Sequence, residues 1–80
     1  MSEVQLLIKS PSYNEDFRLP LNLTSTVKEL KERIAQEHPS RPPAERQRLI
    51  FAGKLLQDND VLKDILRLVR IFIPYISIIK

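Results

Sequence analysis

The stretch RQRLIFAGKLL, from Arg46 to Leu56, decides how this chain folds. Leu49, Ile50 and Phe51 are three large apolar residues in succession, and the chain's only glycine, Gly53, follows shortly after. In a strand, neighbouring side chains point to opposite faces, so Leu49 and Phe51 can share a buried face while Ile50 must look outward. The stretch therefore predicts a strand from about Gln47 to Phe51, a tight turn at Ala52 and Gly53, and a short returning strand with Leu56 inward. Gly53 sits where a positive φ costs least. An isoleucine facing water is the feature that needs an account.

The 80-residue chain is 42% apolar and 29% charged, the balance of a sequence held by a hydrophobic core and not of a disordered one. That length fits one domain over residues 1–80, with a core but without room for a deep catalytic cleft as well. Having no cysteine, the chain has no disulfide, thiolate nucleophile or thiolate metal site, which suits a reducing compartment. The formal charge of +3 comes from basic residues scattered along the chain, a solvated surface and not a nucleic-acid stripe. The opening MSEVQLLIKS lacks the basic-then-apolar order of a signal peptide and reads as the start of the fold.

Working outward, Val4, Leu6 and Ile8 alternate with Gln5, Leu7 and Lys9, which predicts a strand with one buried face. After the turn residues SPSYNED a second alternating run places Phe17, Leu19 and Leu21 on one face. Pro20 lies inside it, so this strand belongs at a sheet edge, where a missing N–H is tolerated. The two strands form an antiparallel hairpin. At TSTVKELKERIAQEH the period changes: Val27, Leu30 and Ile34 make the apolar stripe of a helix. Thr26 and Glu29 have the spacing of a reciprocal capping box, and Pro39 ends the helix at or before His38. HPSRPPAER is a proline-stiffened loop. QDNDVLKDIL gives a turn, with Asn59 able to take a left-handed conformation, and then a short helical turn. YISII closes the chain as a strand from about Tyr75.

Few residues offer chemistry. His38 is the only histidine, which excludes a His-based metal cluster and leaves a polar helix terminus. Pro42 and Pro43 shape a turn, since a proline-rich ligand needs a longer extended run. No nucleophile with its base, paired carboxylates or glycine-rich phosphate loop can be assembled, so the expectation is a non-enzyme with no cofactor and no metal.

The element order is that of the β-grasp fold, and QRLIFAGKLL resembles the strand-turn-strand of ubiquitin. VQLLIKS resembles ubiquitin's first strand, STVKELKERI its helix, and LLQDNDVLKDI the segment after its second turn. The fold class is then α+β, a ubiquitin-like mixed sheet of four to five strands packed on one main helix. HPSRPPAERQRLIFAGKLL with LKDIL is most similar to the ubiquitin-like domain of Herp-type endoplasmic-reticulum membrane proteins. This implies a cytoplasmic domain, on the cytosolic face of that membrane as part of a larger protein. There are two departures from ubiquitin. No terminal Gly-Gly follows the last strand, which argues against a conjugated modifier, and RLVRIFI replaces the polar loop expected before that strand.

The resemblance gives Ile50 a role. It matches the isoleucine at the centre of ubiquitin's recognition patch, Ile79 matches the patch valine on the adjacent strand, and Ser77 falls where ubiquitin has histidine. Tyr13, near the tip of the first hairpin, takes the place of the patch's loop leucine. Arg48 and Lys54 rim the patch, with Gly53 in the turn beside them. Such a surface suits a helical partner: aliphatic burial gives affinity and charges give orientation. The implied partners of this monomer are ubiquitin-binding proteins such as proteasomal receptors or ubiquitin-ligase components, which would tie it to endoplasmic-reticulum-associated degradation. Lys31 matches a ubiquitin lysine buried against an aspartate, here Asp58, and a structural ion pair is implied. Two other readings stay open. One is a modifier lacking its tail; the other is a peripheral membrane module, because the fourteen residues from Leu66 to Ile79 fall short of the roughly 20 that span a bilayer yet can lie at its surface.

Overall fold

Strand β1 (Glu3–Ser10) pairs antiparallel with β2 (Tyr13–Asn22), placing Leu6 opposite Leu19 and Ile8 opposite Phe17, as the two alternating runs require. The computed structural model describes residues 3–11, 13–39, 41–66 and 75–79. Helix α1 (Val27–Glu37) follows, then a 3-10 turn at Ala44–Arg46, strands β3 (Arg48–Phe51) and β4 (Lys54–Leu55), helix α2 (Leu62–Leu66) and strand β5 (Tyr75–Ile79). The five-stranded sheet has the order β2-β1-β5-β3-β4. It is mixed: β5 runs parallel to β1 and antiparallel to β3. Pro20 accordingly lies on an edge strand, and Tyr75–Ile79, part of the segment otherwise open to a membrane reading, is a strand.

One face of the sheet packs on α1. Leu6, Ile8, Leu30, Ile34, Leu49 and Ile76 are fully buried there, joined by Leu62 of α2. The start of α1 leaves no first-turn amide unsatisfied. The Thr26 N–H donates to Glu29 Oε1 at 3.1 Å and the Glu29 N–H donates to Thr26 Oγ1 at 3.3 Å, completing the capping box. Between them, the amides of Val27 and Lys28 donate to the carbonyls of Asp60 and Asp58 at 2.8 and 3.1 Å. The later half of the chain thus finishes the helix that the earlier half begins.

Four local expectations are corrected. Gln47 precedes β3 instead of opening it, because its N–H closes the 3-10 turn on Ala44 O at 3.2 Å; its buried side-chain amide donates to the carbonyls of Lys31 and Pro42 at 2.8 and 2.9 Å. Asn59 is not left-handed. Asp60 closes that turn, its N–H donating to Gln57 O and its carboxylate accepting from Gln57 N, both at 2.9 Å. Positive φ falls instead on Arg41 (42°), Ala52 (53°) and Gly53 (79°). The last two are the paired left-handed residues of a two-residue hairpin whose turn matches strand twist. Leu7 faces outward as expected yet is only 7% exposed, on a strand flanked on both sides, opposite Arg18 of β2 and Tyr75 of β5. His38 terminates α1 but is no polar surface cap: it is 1% exposed, with its ring edge-on to Phe17 at 5.2 Å.

Candidate interaction surface

The outward face of the sheet is built by register. Ile50 of β3 lies opposite Leu55 of β4 on one side and Ser77 of β5 on the other, and Ser77 lies beside Lys9 of β1. Directly paired residues share a face with Cβ atoms about 5 Å apart, so these four make one transverse row about 15 Å long. Leu49 and Phe51 point the other way and are buried at 0% and 3%. Ile50 and Ser77 are half-buried and Leu55 is 45% exposed. Two residues along β3, on the face of Ile50, exposed Arg48 lies opposite Ile79.

The predicted members therefore separate. Ile50, Ser77 and Arg48 come together, and the backbone of Ile79 joins them; its side chain lies outside the described residues. Lys54 is paired with inward Phe51, so it leaves its strand on the side opposite Leu55 and marks the end of the patch, together with exposed Gly53. Tyr13 begins β2, three strands from β3 in the sheet order. Strand spacing puts that about 14 Å away, and the Tyr13 side chain too lies outside the described residues. Leu55 was not anticipated as a member. Its signal was present, because alternation with Leu56 inward places Leu55 outward.

Beneath the end of this face, Lys31 Nζ meets Asp58 Oδ1 at 2.7 Å, and the lysine side chain is only 14% exposed. The pair pins the 57–60 turn to α1 alongside the Lys28 amide bond. Among the described residues, His38 is displaced from its ordinary value: burial lowers its pKa by disfavouring the charged imidazolium. Among the described residues no cluster of histidine, cysteine or carboxylate side chains could hold a metal ion, and no helix is long and apolar enough to cross a membrane.

Residues 6–67 match the family model of the ubiquitin family. The chain belongs to the ubiquitin family. Among its relatives is the homocysteine-responsive endoplasmic reticulum-resident ubiquitin-like domain member 2 protein of Xenopus laevis, 43% identical over 65 residues, which are 80% of this chain and 16% of the relative. The human member 1 protein is 42% identical over 64 residues, 79% of this chain and 16% of the relative. The chain thus spans about a sixth of the length of the curated relatives that it matches, and those relatives are by name residents of the endoplasmic reticulum. The solution NMR structure of a ubiquitin-like domain from Arabidopsis thaliana superposes with a TM-score of 0.81 at 22% identity, over 99% of this chain and 78% of the other. The ubiquitin-like β-grasp fold follows from that likeness.

Proposed function

We propose that this member of the ubiquitin family is a single, non-conjugated interaction domain, borne by a larger host protein, that acts by binding and not by catalysis. Its partners are helical ubiquitin-binding elements of proteasomal receptors or ubiquitin-ligase components. Through them it ties its host to degradation at the cytosolic face of the endoplasmic reticulum. The observation carrying the reading is the outward pair of Ile50 and Leu55 on neighbouring strands, with Ser77 on the other side of Ile50 and the exposed cation of Arg48 beside it. Isolated surface isoleucines are common, but adjoining outward apolar residues on neighbouring strands form a patch with a use. The relatives lend support, since the matched segment is a small part of longer, endoplasmic-reticulum-resident proteins. Titration of the 80-residue chain with a ubiquitin-interacting helix, followed by two-dimensional NMR, tests it. Amides of β3, β4 and β5 shift, and Ile50→Ala weakens binding by about 2 kcal/mol while the spectrum stays dispersed. Shifts confined to α1 or β2 would refute it.

A further inference from the structure

Leu55 borders more than the patch. It also borders a cleft of about 330 Å³ in which Leu55 and Leu56 are the apolar members and Lys31, Gln47, Arg48, Gln57, Asp58 and Asn59 supply polar walls. That volume is at the low end for ligand sites, about 300–1,000 Å³, and suits one inserted side chain better than a cofactor. The charges around it do not cancel. Lys31 and Asp58 neutralise each other at 2.7 Å, whereas Arg48 is exposed and makes no ion pair among the described residues. Two leucines at the rim of a largely polar cleft, beside one cation with no ion pair among the described residues, suit an aliphatic group laid on Leu55 next to a carboxylate.

The spacing identifies the form of that partner. Ile50 and Leu55 are directly paired, with Cβ atoms about 5 Å apart. Side chains one turn apart on a helix are separated by about 5–6 Å. Two aliphatic residues at i and i+4 of one partner helix therefore reach Ile50 and Leu55 together. We propose that Leu55 and its cleft form a second anchor pocket, which selects partner helices bearing a second aliphatic residue one turn from the one covering Ile50, flanked by a carboxylate that pairs with Arg48. This inference rests on the interaction reading above and names the determinant that sorts among helices able to cover Ile50.

The probe is a stapled amphipathic peptide of ubiquitin-interacting type, with leucines at i and i+4 and a glutamate beside the second leucine, titrated into the 80-residue chain. Leu55→Gln, at a position already 45% exposed, retains the fold. It weakens the peptide about tenfold, as expected for one lost apolar anchor. Replacing the second leucine of the peptide by alanine costs as much against the native chain and little more against Leu55→Gln. Arg48→Gln removes the preference for glutamate over glutamine in the peptide. If Ile50→Ala weakens the peptide and Leu55→Gln does not, the second pocket is overturned and the interaction reading stands. If the peptide does not bind, or binds both variants as well as the native chain, both fall.

Discussion

Leu49→Ala and Ile50→Ala, compared in one denaturation experiment, test the facing of the strand on which the fold and the site both depend. Leu49 is fully buried between sheet and helix. Truncating such a leucine costs about 2–5 kcal/mol, in transfer energy and in the cavity left behind. A domain of this size is stable by about 4–12 kcal/mol, at roughly 0.05–0.15 per residue, so the loss is a large share of the total. Ile50 is half-buried on the other face, where water covers part of its surface before and after the change. Its truncation costs about 1 kcal/mol, mostly from reduced strand propensity and cross-strand packing. With a urea slope of about 1.5 kcal/mol per molar, a loss of about 3 kcal/mol moves the midpoint by about 2 M and the smaller loss by less than about 1 M. Fluorescence lacks a tryptophan here, so circular dichroism at 222 nm, about the usual helix wavelength, is the assay. Equal shifts, or a larger one for Ile50→Ala, would invert the strand and remove Ile50 from the surface.

Three further outcomes follow from local geometry. Thr26→Ala loses about 1 kcal/mol by leaving the Glu29 amide without its acceptor, while the affinity of the folded fraction for a helix is unchanged; calorimetry and NMR titration read the two quantities separately. Ala52→Asn raises stability by about 0.5 kcal/mol, because asparagine tolerates the left-handed conformation that Ala52 holds at φ 53°; a lowered urea midpoint contradicts the turn geometry. His38 has a folded pKa lowered by burial, so below about 6.5 the unfolded chain binds more protons than the folded one. Its contribution is complete above that pH and is lost as pH falls through the lowered folded value. The urea midpoint therefore drops between about pH 7.5 and 5.5, and His38→Gln flattens the drop; an unchanged slope in the variant assigns it to another group.

Periodicity carried most of the fold into view. Alternation separated Leu49 and Phe51 from Ile50, the change to helical spacing marked Val27, Leu30 and Ile34, and Pro20 declared an edge strand. What stayed hidden was coverage. Alternation tells which way Leu7 points, but not that β2 and β5 flank it on both sides, and the ring of His38 meets Phe17, which is distant in sequence. The left-handed Ala52 was hidden for another reason: a two-residue hairpin needs positive φ at both positions, and only Gly53 advertises it. Within the candidate surface, the grouping of Ile50, Ser77 and Arg48 on one face was legible from pattern and resemblance together. Leu55 was overshadowed by its buried neighbour Leu56, and the distance of Tyr13 from β3 follows from the sheet order, which no local pattern encodes.

The position of β5 matters for how the protein is made. Of the five described strands, the last in chain order, β5, occupies the centre of the sheet, between β1 and β3. Until residues 75–79 emerge, the nascent chain holds two separate hairpins, one of them long and one very short, with facing edges that have nothing to pair with. Isolated hairpins are marginal in water, and open apolar edges invite pairing with other chains. Translation that stalls or terminates before Tyr75 therefore does not yield a weaker version of this domain. It yields an unassembled one, a client for chaperones and proteases from the moment it is released.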